Sequence, residues 1–347
     1  MEKDQPALLT IENLTVSFKS DKRLATAVEK VSLEVYPKET VCLVGESGCG
    51  KTVTALSILG LVPSPPGYIS GGPILFNGED LLTLPEERLQ KVRGREISMI
   101  FQEPLTSLNP VFTVGAQIQE AIDIHRHTHP SESWDRTIEL LKDVGIPSPE
   151  DRAWDYPHQL SGGQRQRVMI AMALACDPKL IIADEPTTAL DVTVQAQILS
   201  LLRNIQQERG MSIFYITHDL GVVAGIADRV FVMYSGIIVE QADVSELFKN
   251  AKHPYTRGLL ASLPTREKRG KRLYSIPGSV PDIAHKPAGC PFHPRCPNAI
   301  ESCRGVFPSL CDYGGGHLAR CPVLFNRHPG RVAEFERGKR KEVRGER

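Results

Sequence analysis

Val41-Cys42-Leu43-Val44-Gly45-Glu46-Ser47-Gly48-Cys49-Gly50-Lys51-Thr52 is the stretch on which the fold turns. The four apolar residues at its start predict a buried strand, and helical spacing through Thr54, Ala55, Leu56 and Leu59 predicts a helix behind it. G-x-x-x-x-G-K-T set between a strand and a helix is a phosphate-binding loop. Gly45, Gly48 and Gly50 let the backbone curl until successive N–H groups, from Glu46 and Ser47 through Cys49 to Thr52, face the same anion. The helix that follows adds the positive end of its dipole. Lys51 is expected to reach the β- and γ-phosphates of a nucleoside triphosphate, and the Thr52 hydroxyl to hold Mg²⁺.

Working outward, Leu9, Ile11, Leu14 and Val16, then Val28, Val31, Leu33 and Val35, predict half-buried strands of an antiparallel sheet ahead of the loop. Phe18 follows the first of them, either as a core aromatic or as a ring that stacks on the adenine. Downstream, residues 97–101 predict a short strand ending at Gln102, and residues 114–141 change to helical spacing through Ile118, Ala121, Ile122, Ile138, Leu140 and Leu141. Leu160-Ser161-Gly162-Gly163-Gln164 then opens a helix carrying Val168, Ile170, Ala171, Met172 and Leu174. A serine and two glycines at a helix start suit an anion for the same dipole reason as the first loop.

Leu180-Ile181-Ile182-Ala183 predicts a buried strand with Asp184-Glu185 at its C-terminal end, where ligands bind in open parallel α/β sheets. Asp184 can hold Mg²⁺ there, directly or through water, and Glu185 can accept a proton from an attacking water. A helix with Val194, Ile198, Leu201, Leu202 and Ile205 on its apolar face follows and closes at Gly210. Residues 212–216 form another strand, ending in Thr217-His218-Asp219, and residues 230–233 and 237–239 a hairpin through Ser235-Gly236.

The chain has 347 residues, with 41 basic and 41 acidic side chains, so it carries no overall electrostatic footprint for nucleic acid. Its N-terminus lacks the apolar core and cleavage site of a secretory signal, and its apolar runs fall short of the roughly 18 residues that span a bilayer. The expectation is a chain that sits against a membrane rather than in it. Five of the eight cysteines lie between Cys290 and Cys321; in a reducing compartment such a cluster points to metal rather than disulfides.

The spacing of these pieces resembles the nucleotide-binding subunit of ATP-binding-cassette transporters. Residues 45–52 are similar to the Walker A loop, Gln102 to the Q-loop, 160–164 to the LSGGQ signature, Asp184-Glu185 to the end of the Walker B strand, 188–191 to the D-loop, and His218 to the switch histidine. Phe18 matches the aromatic A-loop position, which favours adenine stacking. Gln102-Glu103-Pro104, Ser107-Leu108-Asn109-Pro110, residues 184–191, His253-Pro254-Tyr255-Thr256 and Ile276-Pro277-Gly278-Ser279-Val280-Pro281 narrow the resemblance to the oligopeptide/dipeptide-importer group, which includes nickel and glutathione importers. Lys38 and Cys49 depart from residues common there, and Cys49 places a thiol in the phosphate loop that is expected to react with thiol reagents.

That resemblance implies an α/β P-loop NTPase fold: a RecA-like core, an antiparallel β subdomain and an α-helical subdomain, with a cysteine-rich C-terminal extension. It implies boundaries of 1–250 for the cassette (helical part about 103–165), 251–330 for the extension and 331–347 for a charged tail. The implied activity is ATP hydrolysis powering peptide import at the cytoplasmic face of the membrane. Lys51 and the loop amides would cradle phosphates, Thr52, Gln102 and Asp184 would hold Mg²⁺, Glu185 would polarise water and His218 would contact the γ-phosphate. Ser161, Gly162, Gly163 and Gln164 would serve a partner subunit's nucleotide. The implied partners are a paralogous ATPase subunit, two transmembrane permease subunits and an extracellular or periplasmic solute-binding protein, with no nucleic acid. Soluble cassette ATPases of DNA repair or translation add long coiled coils or a second cassette, neither apparent here, and a small-molecule kinase leaves residues 160–164 unexplained.

Zinc sites usually open with cysteines two to four residues apart, whereas the first gaps here are five and six. Irregular gaps suit an iron–sulfur cluster at least as well, and unligated buried thiols are a further reading. Peptide-importer subunits with this pattern carry a four-iron, four-sulfur cluster, which by resemblance assigns Cys290, Cys296, Cys303 and Cys321 as ligands and leaves Cys311 spare.

Overall fold

The apolar spacing of the first two strands slips by one residue, between Ile11 and Leu14 and again between Val28 and Val31, and the structure accounts for both slips. Asn13 and Lys30 take left-handed backbone conformations (φ 50° and 49°) within the strands Leu9–Ser20 and Arg23–Val35. Each acts as a bulge that returns the following apolar residues to the buried face. Side chains hold the distortion in place: Asn13 N–H donates to Ser32 Oγ (2.9 Å) and Lys30 N–H to Thr15 Oγ1 (3.1 Å).

This computed structural model describes residues 5–20, 23–126, 128–188, 190–264, 269–270, 272–321, 323–324 and 331–332. The chain divides into two units, one built from Thr83–Ile216 with Val35–Thr40, the other from Leu9–Glu34, Val41–Leu82 and the residues from Thr217 onward.

In the second of these units, Leu9–Ser20 lies next to Arg23–Val35 and pairs antiparallel with Ile74–Phe76 and Gly67–Ile69. The buried strand Thr40–Val44 runs parallel to Arg229–Tyr234, with Val41 opposite Arg229 and Val44 opposite Val232. Arg229–Tyr234 pairs antiparallel with Ile237–Asp243 across Ser235 and Gly236, whose φ of 47° and 86° are those a two-residue hairpin turn demands.

Leu318–Ala319 then adds to Ile237–Asp243, Cys311–Asp312 to Leu318–Ala319, and Arg331–Val332 to Cys311–Asp312. The C-terminal segment therefore continues a sheet that already has a core. Glu240, fully buried, holds this region together by accepting from Lys252 N–H (2.5 Å), His253 N–H (3.0 Å) and His317 Nε2 (2.7 Å).

In the other unit, Ile97–Ile100, Leu180–Asp184 and Ser212–Thr217 form a parallel ladder with the fully buried Leu180–Asp184 in the middle. The helical stretch expected over 114–141 is two helices, Val114–Arg126 and Pro130–Asp143. Pro130 explains the break, because it lacks the N–H an unbroken helix would need and is tolerated only in a first turn. Gly162–Leu174 and Val192–Arg209 are the helices that follow; Asp191 caps the second, its Oδ1 accepting from Thr193 N–H and Val194 N–H (both 3.0 Å), and Gly210 ends it at φ 65°. Among the described residues no helix is long and apolar enough to cross a membrane.

His253 caps the helix Pro254–Ala261, its Nδ1 accepting from Tyr255 N–H (3.1 Å), and burial holds its pKa down to about 4. The folded imidazole is neutral while the unfolded one takes up a proton near pH 6.5, so this contribution is complete above pH 6.5 and is lost as pH falls toward 4. At the limit it amounts to about 3 kcal/mol. His253→Asn keeps a capping acceptor and removes the titration. Urea unfolding at pH 7.5, 5.5 and 4.5 should show a shallower fall in stability for the variant than for the parent chain.

Candidate active site

Within the phosphate-loop unit, steric exclusion fixes the curl of residues 45–52. A Cβ on Gly45 would stand 2.2 Å from the Met233 carbonyl oxygen, and one on Gly50, whose φ is 108°, 2.7 Å from the Ala27 carbonyl oxygen. No L-residue with a side chain fits either place without moving the backbone. Gly50 caps the helix Lys51–Ile58, which therefore starts at the loop. Lys51 Nζ donates to the carbonyls of Gly45 (2.9 Å) and Glu46 (3.1 Å), while Ser47, Gly48 and Thr52 are exposed.

Glu46 is anchored at both ends. Its N–H donates to the Tyr255 hydroxyl (2.9 Å), and its carboxylate takes a two-pronged contact from Arg295 (2.7 and 3.0 Å). Phe18 is half-buried and pairs in register with Gly67, where a Cβ would stand 3.2 Å from the ring. His218 is exposed just before the helix Leu220–Ile226, which Asp219 caps through Gly221 N–H (2.7 Å).

The other unit brings a second group together. Asp184 ends its strand buried, at 3% exposure. Glu185 follows in a left-handed conformation (φ 46°), its N–H donating to the Ile216 carbonyl (2.9 Å). That turn leaves the carboxylate where its Oε2 accepts from Thr188 Oγ1 (3.0 Å) and from Gln102 Nε2 (3.4 Å), although Gln102 lies 83 positions away in sequence. A bulky residue held at positive φ is strain of the kind that functional sites store.

Ser161 is the N-cap of Gly162–Leu174: its Oγ accepts from Gln164 N–H (3.3 Å), and Gln164 Oε1 accepts from Ser161 N–H (2.9 Å). This capping box presents an exposed serine at a helix start. A Cβ on Gly163 would lie 2.7 Å from the Val194 side chain, so glycine there lets two helices approach.

The four-thiolate set expected at Cys290, Cys296, Cys303 and Cys321 is not drawn into a ligand cage. Among the described residues, no group of three or more His, Cys, Asp or Glu side chains is gathered closely enough to hold a metal ion. Burial raises the Cys290 thiol to about 12 and raises Cys296 and Cys321 as well, which favours the S–H form of each. The thiols still act on one another: Cys290 responds to Cys321, Cys303 and Cys296, and Cys296 to Cys321 and Cys303.

Two family comparisons match this architecture. Residues 28–188 match the ABC transporter family, and residues 239–303 the C-terminal region of oligopeptide/dipeptide transporters. A putative peptide import ATP-binding protein of Brucella ovis is 50% identical over 325 residues, covering 90% of this chain and 96% of that protein. The oligopeptide transport ATP-binding protein AppD of Bacillus subtilis is 51% identical over 314 residues, covering 90% of this chain and 96% of its own. The chain belongs to the ATP-binding subunits of ABC transporters. Solved cassettes share its fold: a dimeric cassette, MJ0796, in a post-hydrolysis state with ADP and Pi, aligns with TM-score 0.62 at 28% identity, covering 68% of this chain and 98% of that one. A cassette of Clostridium perfringens from a cbiONQ complex aligns at 0.61 and 27%, covering 71% and 92%.

For this ABC subunit, three site features had no individual role in the sequence pattern. Tyr255 belongs to a recognised tetrapeptide, but nothing local ties it to Glu46. Arg295 is separated from Glu46 by 249 positions, and the Glu240–His317 pair by 77.

The expected reactivity of Cys49 is corrected. Its side chain is 1% exposed beneath Gly45, where an added Cβ would meet its sulfur at 2.7 Å, and burial raises its pKa to about 11 despite nearby Lys51. The thiolate is the reacting form, so alkylation by iodoacetamide at pH 7.5 should run about a hundredfold slower than for an ordinary exposed cysteine. Mass-spectrometric timing of labelling at Cys49 checks this.

Proposed function

We propose that this chain is the ATP-hydrolysing subunit that powers import of dipeptides or oligopeptides across the bacterial cytoplasmic membrane. The observation that carries the hydrolytic part is the Glu185 carboxylate, held off the end of a buried strand within hydrogen-bonding distance of Gln102 and Thr188. Support for the peptide cargo comes from the relatives named for peptide import and from the match to the transporter C-terminal region.

In this reading the amides and Lys51 of residues 45–52 hold the phosphates, and the half-buried ring of Phe18 stacks on adenine. By the family pattern, Thr52, Gln102 and Asp184 would hold Mg²⁺. Bound there, the metal would supply charge neutralisation to the phosphates. Glu185 accepts the proton of the in-line water and His218 contacts the γ-phosphate. Positioning and electrostatic stabilisation then carry most of the rate.

Ser161, Gly162, Gly163 and Gln164 serve the nucleotide of a companion subunit in a head-to-tail arrangement, and the dimeric state of a related cassette supports pairing of subunits. A paralogous ATPase is the companion of choice, with two membrane-embedded permeases and a solute-binding protein completing the assembly at the inner face of the membrane. The cassette occupies 1–250, with its helical part at about 103–165, and the extension 251–330.

Cys290, Cys296, Cys303 and Cys321 would be the ligands of a four-iron, four-sulfur cluster, a reading that rests on the cysteine pattern of the sequence, since the described residues gather no group able to hold a metal ion. Cys311 is left as the spare thiol. The cluster would have a structural role, joining a segment with few apolar residues. Anaerobic purification should give a brown protein with about four irons per chain; a colourless, iron-free product overturns the cluster.

Glu185→Gln removes the proton acceptor and keeps the side chain's shape. Steady-state hydrolysis in the assembled transporter should fall by about a hundredfold or more, with binding of a fluorescent ATP analogue unchanged. Turnover near that of the parent removes Glu185 from the role of base. Vesicles carrying the full assembly should accumulate labelled peptide with ATP inside the ATPase compartment; hydrolysis without peptide movement overturns the cargo.

A further inference from the structure

Arg295 sits at the end of the short turn His293–Arg295, inside the loop between Cys290 and Cys296, and its side chain is only 4% exposed. Its guanidinium uses every donor direction it has. Nη1 donates to Glu46 Oε2 (2.7 Å) and the Tyr234 hydroxyl (3.4 Å), Nη2 to Glu46 Oε1 (3.0 Å) and the Ile276 carbonyl (3.5 Å), and Nε to the Pro277 carbonyl (2.9 Å). The planar fork that matches a carboxylate at two points is specific to arginine.

The receiving residue is the junction of the phosphate loop. Glu46 N–H is held by the Tyr255 hydroxyl, its carbonyl is one of two that receive Lys51 Nζ, and its carboxylate is taken by Arg295. Tyr234, Tyr255 and Phe292 pack ring against ring behind this contact, with centroids 4.7 to 5.3 Å apart. The carboxylate would repel a bound triphosphate and could draw off the Lys51 ammonium if it swung free. Paired with Arg295, it is neutralised and fixed.

We propose that Arg295 is a positioning residue for nucleotide binding: the C-terminal cysteine-bearing loop holds Glu46, and through it residues 45–52, in the shape and charge state that accept the triphosphate. The inference rests on the reading of residues 45–52 as the ATP site. Arg295 touches neither nucleotide nor reacting atoms. The turn that carries it is closely tied, Cys290 N–H donating to the Cys303 carbonyl (2.8 Å) and Arg295 N–H to the Phe292 carbonyl (3.0 Å), so the C-terminal segment sets where the guanidinium stands.

The test is equilibrium binding of N-methylanthraniloyl-ATP to the full-length chain, with thermal unfolding alongside, for Arg295→Ala, Arg295→Lys, Glu46→Ala and the Arg295→Ala/Glu46→Ala pair. Arg295→Ala and Arg295→Lys should each weaken binding by about tenfold or more, because the Glu46 carboxylate loses the two-pronged partner that fixes it beside residues 45–52. The double variant should bind better than the product of the two single effects predicts, since removing both partners leaves no stranded charge. Steady-state ATPase of the assembled transporter should show a raised KM with kcat nearly held.

Unchanged affinity in Arg295→Lys, or single effects that multiply in the double variant, overturns the proposal. If Arg295→Ala does not fold, the same cycle run with Arg295→Lys and Glu46→Gln decides it by the same criterion. Lys51→Ala separates this inference from the reading beneath it. Loss of binding there with no effect at Arg295 sinks only the positioning role, whereas full binding by Lys51→Ala sinks the assignment of the loop itself.

Discussion

A chain can cradle phosphate with its backbone only if successive N–H groups turn to one side, and that curl survives only where no side chain intrudes. Gly45 against the Met233 carbonyl and Gly50 against the Ala27 carbonyl meet this condition by close approach to two different strands. The constraint reaches outward. Met233 must lie on a strand parallel to Thr40–Val44, Ala27 on Arg23–Val35, and the helix Lys51–Ile58 must start where the curl ends. The surrounding sheets thus keep the loop in a shape that an isolated glycine-rich peptide, with its large conformational entropy, would not hold.

Acidic side chains are managed in contrasting ways. Asp184 is buried at the end of its strand, Glu185 is swung out through a left-handed backbone, and Glu46 is held by an arginine fork. Each arrangement puts a carboxylate where an anionic ligand would oppose it unless metal, proton or guanidinium compensates. The strain at Glu185 and the buried charge at Arg295 both cost stability locally, and both are supported by a packed surrounding: a fully buried parallel ladder in one case, a stack of aromatic rings in the other.

The C-terminal segment shows why a run with few apolar residues need not form a core of its own. Its short strands extend the sheet edge at Ile237–Asp243, and Glu240 ties the segment down through backbone N–H groups and the His317 ring. Phe292 and Leu310, both 2% exposed, are buried within it. The cysteines lie in this frame as mostly buried thiols, and the frame carries Arg295 to the phosphate loop.

Much was legible in the sequence because its signals are local. Strand, loop and helix at 41–59, the signature helix at 162–174, the acidic pair after Leu180–Ala183 and the glycine that ends Val192–Arg209 all follow from spacing, backbone freedom and capping within a few residues. The slip at Asn13 and Lys30, a left-handed residue in each strand, was not part of the alternation read from the sequence. Tertiary structure alone decided the contacts that join distant positions: Gln102 with Glu185, Tyr255 and Arg295 with Glu46, and Glu240 with His317. It also decided that the Cys49 side chain is covered. The physical reason is common to all of these. Periodicity and turn chemistry act through neighbours in the chain, whereas burial, pKa and ion pairing depend on which remote groups the fold brings within a few ångströms.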